Sequence, residues 1–152
     1  MLKIVSWNCR DLGGLRKVEA ITEIINSERP DRLLLQATKI PDVEAMALSC
    51  CFWKNNKGKS ISSKGASRGI ATIISGKFLV KSIRESHHWL LTKIQEKEDL
   101  IHLYICNVYG ATHYRDKTTI WEDLNKLNEE LRGKDIIIVR DFNTIKSEFE
   151  KQ

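Results

Sequence analysis

The sequence predicts a single α/β domain over residues 1–152, and three features of the chain indicate it. Residues 136–139 are four consecutive branched aliphatics, typical of a strand buried on both faces. Near the N-terminus a predicted strand, helix and strand follow one another, which favours a parallel pair with both carboxyl ends at one edge. Between residues 68 and 109 strand-like segments follow one another with short connections, which indicates antiparallel pairing. The length and the 41% hydrophobic content suit one domain with its own core.

Hydrophobic periodicity sets the boundaries of the predicted elements. From Leu15 to Glu28 apolar residues recur every three or four positions, which predicts an amphipathic helix that Pro30 ends. A later helix is capped by Asp116 or Thr118, and its predicted buried face carries Ile120, Trp121, Leu124, Leu127 and Leu131. We predict strands over residues 2–7, 32–36, 68–75, 78–83, 88–95, 100–109 and 136–139, a short helix over 43–48 and a basic loop over 54–67.

Polar residues follow several of these strands at the point where each strand ends. Asn8 follows the first strand, Gln36 the second, Asn107 lies near the end of a later one, and Asp141 and Asn143 follow the aliphatic run. Side chains two residues apart on an extended backbone point the same way, so Asp141 and Asn143 could jointly hold a cation, a water or a phosphate oxygen. The alternative is that they only turn the chain after a core strand.

The net charge of +5 is unevenly distributed. From Phe52 to Arg84 the chain has no Asp or Glu, and its cations there are Lys54, Lys57, Lys59, Lys64, Arg68, Lys77, Lys81 and Arg84. Lysine and arginine near a nucleic-acid backbone release condensed counterions, so this stretch predicts contact with phosphates. The alternative is a solvated basic loop with no partner.

Other features restrict the class of protein. There is no run of about 18 apolar residues and no signal-peptide pattern at the N-terminus, so we expect an intracellular protein, nuclear or cytoplasmic, with no membrane partner. Cys9, Cys50, Cys51 and Cys106 have no metal-binding spacing, and we expect reduced thiols. The adjacent pair His87-His88 is a weak metal candidate because neighbouring side chains on a strand face opposite ways.

In this order and at these spacings the polar strand ends resemble those of the endonuclease/exonuclease/phosphatase superfamily. Residues 6–13, Ser-Trp-Asn-Cys-Arg-Asp-Leu-Gly, look most similar to the endonuclease domains of non-LTR retrotransposons, especially those of plants. The resemblance covers almost the whole chain. It implies a two-sheet β-sandwich flanked by helices in four layers, a divalent metal, usually Mg²⁺, and cleavage of phosphodiesters in DNA.

The resemblance also implies roles for individual residues. Asn8 lies where the family arranges the metal and the phosphate, and Tyr109 where a phenol hydrogen-bonds the scissile phosphate. Asp141 and Asn143 match the pair that orients or deprotonates the attacking water, with Asp141 also close to the metal. Asn107 and Arg68 are placed beside the phosphate.

One departure from the family pattern affects the metal site directly. The family motif is Gln-Glu-Thr, and its Glu is the main metal ligand, but this chain has Ala37 at that position. Hard cations are held by carboxylate oxygens, so Mg²⁺ binding should be greatly weakened. Asp42 and Glu44 lie nearby in sequence but follow Pro41 in another segment, and we do not expect either to replace the ligand.

Two further departures concern the end of the chain. A Ser-Asp-His-like segment that follows Asn143 in the family has no counterpart in the nine residues after Asn143, so we expect the C-terminal part of the fold to be missing. Arg140 also replaces a common Gly before Asp141. An incomplete sandwich should leave an apolar patch and an unpaired edge strand, so we expect the chain to be either marginally stable or self-associated through that surface.

Three functions follow from these observations. The first is a degenerate endonuclease domain, related to retrotransposon endonucleases, without catalytic turnover. The second is a non-catalytic module that binds nucleic acid through its basic residues. The third is an active hydrolase with a substitute metal ligand.

Overall fold

The computed structural model describes residues 2–9, 12–36, 38–41, 44–48, 57–61, 69–86, 88–98, 102–108 and 114–140. The helices are α1 (Leu15–Glu28), α2 (44–48) and α3 (Tyr114–Glu130). The strands are β1 (Ile4–Asn8), β2 (Arg32–Gln36), β3 (Lys57–Ile61), β4 (Ile70–Ile74), β5 (Phe78–Glu85), β6 (Trp89–Glu96), β7 (His102–Val108) and β8 (Ile136–Arg140). None of the helices described is long and apolar enough to cross a membrane.

The described strands form two four-stranded sheets. Sheet A has the order β1-β2-β4-β3, and sheet B has the order β5-β6-β7-β8. The predicted parallel pairing of β1 with β2 is confirmed, and β8 also lies parallel to β7. The predicted antiparallel run divides between the sheets: β4 pairs with β2 and β3, whereas β5, β6 and β7 form a meander in sheet B.

The two sheets pack face to face, with a helix on each outer side. Leu34, Ile74 and Ile105 belong to one buried cluster that joins the sheets. A second cluster packs α1 onto sheet A, and a third packs α3 onto sheet B. All five residues of β2 are buried because one face contacts α1 and the other contacts sheet B. The predicted two-sheet sandwich flanked by helices is therefore confirmed, in four layers.

Three predicted elements differ from the structure. Strand β3 lies inside the predicted basic loop. It forms because its backbone pairs with β4, although its Gly, Ser and Lys residues have low strand propensity. Helix α3 begins at Tyr114, before the predicted caps. Trp121 was predicted to lie on the buried face of α3, but its side chain is 48% exposed. The contact with sheet B is made instead by Ile120, Leu124, Leu127 and Leu131, spaced four, three and four residues apart.

Strand β8 was predicted to be buried on both faces, and this prediction is wrong. Ile137 is 36% exposed and Ile138 is 43% exposed. In the described part of the chain β8 is the edge of sheet B, with β7 on one side only. An aliphatic edge strand of this kind is a recognised association surface.

We predict that the chain self-associates through β8. Sedimentation velocity should show a concentration-dependent shift to larger species, and Ile138→Lys should reduce it because a charge at the edge opposes strand pairing. The matched control is Leu15→Lys, which places the same charge at an exposed leucine of α1 and on no edge strand. A monodisperse monomer at all concentrations would contradict the prediction.

Arg32 is an unusual residue for the interior of a sandwich. Its side chain is fully buried, and its guanidinium nitrogens have no hydrogen-bond partner among the described residues. The guanidinium carbon lies 4.5 Å from the centroid of the Phe78 ring. Burial lowers the pKa of Arg32 to about 10, and the neighbouring Asp31 carboxylate opposes this shift. The charge therefore carries a desolvation cost that a stacked ring offsets only in part.

Replacing Arg32 with an apolar residue should stabilise the fold. We expect Arg32→Met to raise the free energy of unfolding by about 1–3 kcal/mol, since uncharged side chains of similar volume often improve on buried charges. Urea unfolding followed by circular dichroism measures this change, with Arg16→Met on the exposed side of α1 as the control. A loss of stability would show instead that Arg32 has an anionic partner.

Candidate active site at the carboxyl edge of the two sheets

Four strands end at the same edge of the sandwich. In sheet A, Asn8 at the end of β1 lies opposite Gln36 at the end of β2. In sheet B, Val108 at the end of β7 lies opposite Arg140 at the end of β8. The sheets are joined here by a hydrogen bond of 2.9 Å from Gln36 Nε2 to Asn107 Oδ1. The described strand ends therefore meet, as the sequence predicted.

Asn107 is held inside the sandwich. Its side chain is fully buried, and Nδ2 donates to the Ala71 carbonyl oxygen at 3.0 Å and the Thr72 hydroxyl at 3.3 Å, with the Leu35 carbonyl oxygen at 3.4 Å. These contacts connect β7 to β2 and β4. The described contacts of Asn107 are thus all within the protein, and its contact with phosphate stays a prediction.

Asn8 and its neighbours lie closer to the surface. The Asn8 side chain is half-buried at the end of β1. Two residues earlier, Ser6 Oγ and the Gln36 side-chain amide lie 3.1–3.3 Å apart, so Gln36 contacts both Ser6 and Asn107. Gln36 is therefore fixed in orientation, and Asn8 is the partly exposed amide of this edge. Its predicted role toward metal and phosphate is not tested by these contacts.

Lys17 is a residue of this edge that sequence reasoning missed. Its Nζ donates to the carbonyl oxygen of Cys9 at 2.6 Å, which places a cation one residue from Asn8. A lysine on an amphipathic helix is expected to face solvent. The contact of Lys17 with the Cys9 carbonyl oxygen depends on how α1 is positioned against β1. No signal in the sequence identifies this contact.

The structure describes only some of the basic residues that the sequence predicts to contact phosphates. Lys57 and Lys59 lie on β3, and Lys59 Nζ is 3.5 Å from Glu85 Oε2 on β5. Lys59 is therefore in an exposed ion pair, which is worth little in stability. Outside the described residues lie Ala37, Lys54, Lys64, Arg68, Tyr109, Asp141 and Asn143.

The described residues at this edge do not fit a magnesium site. They supply amides and the cation of Lys17, and no group of three or more His, Cys, Asp or Glu is found in the part of the chain that the structure describes. Magnesium prefers carboxylate oxygens. Burial raises the pKa of Cys9 to about 12, which favours the neutral thiol at this position. Cys106 is likewise buried and unpaired, as predicted for both.

The fold built around this edge is that of the endonuclease/exonuclease/phosphatase proteins. TDP2 from Caenorhabditis elegans superposes with a TM-score of 0.68 at 16% identity over 95% of this chain. An endonuclease/exonuclease/phosphatase family protein from Bacteroides thetaiotaomicron gives 0.73 at 12% identity over 96%. The human Nocturnin catalytic domain gives 0.68 at 16% identity over 99%.

These similarities establish the fold alone. The chain spans 48% of the TDP2 chain, 65% of the Bacteroides protein and 67% of the Nocturnin domain. No protein-family profile and no curated protein sequence matches the chain. The resemblance read from the strand ends is thus confirmed for the fold, and the closeness to retrotransposon endonucleases stays a prediction.

Proposed function

We propose that this chain is a degenerate endonuclease-type domain, closest to the endonuclease domains of plant non-LTR retrotransposons, that does not turn over phosphodiesters. The fold and the order of the four strand ends support the ancestry. The presence of Ala37 where the family has its metal-binding Glu supports the loss of activity. In this proposal Asn8 and Asp141 keep positions beside a weakened metal site, and Tyr109 and Asn143 keep positions beside a phosphate.

The observation that carries the proposal is the chemistry of the carboxyl edge. Residue 37 is Ala, and the Lys17 ammonium donates to the Cys9 carbonyl oxygen at 2.6 Å, one residue from Asn8. A cation beside Asn8 repels a divalent metal and attracts a phosphate. With a methyl group at residue 37, the site lacks the carboxylate that would hold the metal most strongly, so neutralisation of the phosphate through a metal is weakened.

Plasmid nicking tests this proposal. Supercoiled DNA incubated with the chain and magnesium should remain supercoiled to the extent seen without protein. Nicking that requires magnesium would contradict the proposal and favour an active hydrolase with a substitute ligand.

We propose nucleic-acid binding without hydrolysis as the second candidate, because the basic residues do not depend on the metal. The chain from Phe52 to Arg84 has no acidic residue, and Lys17 adds positive charge at the carboxyl edge. An intracellular location, nuclear or cytoplasmic, would give such a domain access to DNA.

The salt dependence of DNA binding tests the second candidate. We expect affinity to fall steeply between about 50 and 200 mM salt, because each lysine at a phosphate releases counterions. The slope should flatten in a variant in which glutamine replaces Lys54, Lys57, Lys59 and Lys64. A control variant carries glutamine at four cations elsewhere on the surface: Arg16, Lys97, Lys126 and Lys134. Equal slopes for the two variants would place the contact outside the basic stretch.

A further inference from the structure

Trp121 is a large aromatic side chain exposed on the described surface. Its neighbours in helix α3, Ile120 and Leu124, are buried against sheet B, whereas Trp121 lies outside that face and is 48% exposed. An exposed tryptophan is unfavourable for a surface that serves only solubility. It is typical of a surface that contacts a partner.

The indole ring is held by a cation from the neighbouring strand. The guanidinium carbon of Arg140 lies 4.8 Å from the ring centroid of Trp121, within the range of a cation–π interaction. Arg140 itself is only 9% exposed. The buried arginine therefore fixes the position of the exposed ring, so that a partner would not have to order it.

This pair lies on the outer face of sheet B, where α3 packs, near the carboxyl end of β8. Arg140 is the last residue of β8, opposite Val108 at the carboxyl edge, and it directly precedes Asp141 in the sequence. On α3, the exposed residues three before and four after Trp121 are Thr118 and Asn125, which are uncharged.

We propose that Trp121, held by Arg140, is a stacking platform for one nucleobase of a single-stranded or unpaired nucleic acid whose backbone lies along the carboxyl edge. This inference rests on the proposed nucleic-acid contact and names the part of the ligand that the edge recognises. Aromatic side chains stack on any base because every base has a π-face. Arg140 orients the ring and places positive charge near the adjoining phosphate.

The test compares two oligonucleotides with the same backbone. One is a fluorescein-labelled twelve-residue oligothymidylate, and the other has abasic tetrahydrofuran sites at every position; both are titrated in EDTA by fluorescence anisotropy. We expect Trp121→Ala to weaken binding of the oligothymidylate by about 5- to 150-fold and to change binding of the abasic strand less than about twofold. Trp121→Phe should retain most of the affinity, and Ile83→Ala, at an exposed residue of β5, should change neither titration.

Each outcome decides the proposal. Equal weakening for both strands, or no weakening for either, would overturn the stacking platform and leave the nucleic-acid contact in place. Failure of the unmodified chain to bind either strand would overturn both proposals. Thermal melting of each variant checks folding. If Trp121→Ala is unfolded, Trp121→Leu tests the proposal, because it keeps an apolar side chain without an aromatic ring and should weaken binding of the oligothymidylate but not of the abasic strand.

Discussion

No magnesium-dependent nicking is expected from this chain, even at enzyme concentrations equal to those of the plasmid. Metal-assisted cleavage needs a cation that neutralises the phosphate and a base that activates water. Ala37 removes the main carboxylate ligand, so the cation that would neutralise the phosphate is held weakly. Single catalytic contributions are large, general acid–base catalysis alone being worth about 10²–10⁴-fold, so we expect the loss of metal assistance to be of at least that size.

Two variants separate the contributions to this loss. Ala37→Glu restores a carboxylate, and Ala37→Gln supplies a side chain of the same length without the charge. We expect no nicking by Ala37→Gln, because it still lacks a carboxylate ligand. Nicking by Ala37→Glu alone would show that one missing ligand accounts for the inactivity, and nicking by the unmodified chain would contradict the proposed loss of turnover.

Asn107→Ala should cost about 3–4 kcal/mol of the free energy of unfolding, because each buried polar group left without its partner costs about 1–3 kcal/mol. The substitution removes the donor to the Ala71 carbonyl oxygen and the acceptor for Gln36 Nε2. It also removes a buried polar link between the two sheets at the carboxyl edge. Urea unfolding followed by tryptophan fluorescence measures the change.

The control for Asn107→Ala is Asn125→Ala on the exposed side of α3, for which we expect a change within about 0.5 kcal/mol. A change below about 1 kcal/mol for Asn107→Ala would contradict the structural role and favour the predicted contact with phosphate. The comparison thus decides between two roles for Asn107. The described hydrogen bonds indicate a structural role, and the sequence predicts a contact with phosphate.

The local elements could be predicted where the pattern depends on nearby residues. Helix α1 and strand β2 have the bounds that periodicity predicted, Leu15–Glu28 and Arg32–Gln36. Parallel pairing of β1 with β2 followed from the helix between them, which also fixed the edge at which Asn8 and Gln36 meet. Chain connectivity alone contains this information.

The remaining features depend on contacts between distant segments. The aliphatic run of β8 looks the same in sequence whether or not a strand covers its second edge, so its exposed Ile137 and Ile138 could not be predicted. Strand β3 forms through backbone pairing with β4, which polar side chains do not reveal. The contact of Lys17 with the Cys9 carbonyl oxygen depends on the position of α1 against β1.

Metal binding at the carboxyl edge is the most direct test of the proposal that this site is degenerate. Nitrogen-15 NMR spectra recorded during a titration with Mn²⁺, a paramagnetic substitute for Mg²⁺, report the backbone amides of Asn8 and Gln36. We predict no selective broadening of these signals in the unmodified chain and in Ala37→Gln, and selective broadening in Ala37→Glu. Selective broadening at Asn8 and Gln36 in the unmodified chain would show that the metal site is intact and would contradict the account.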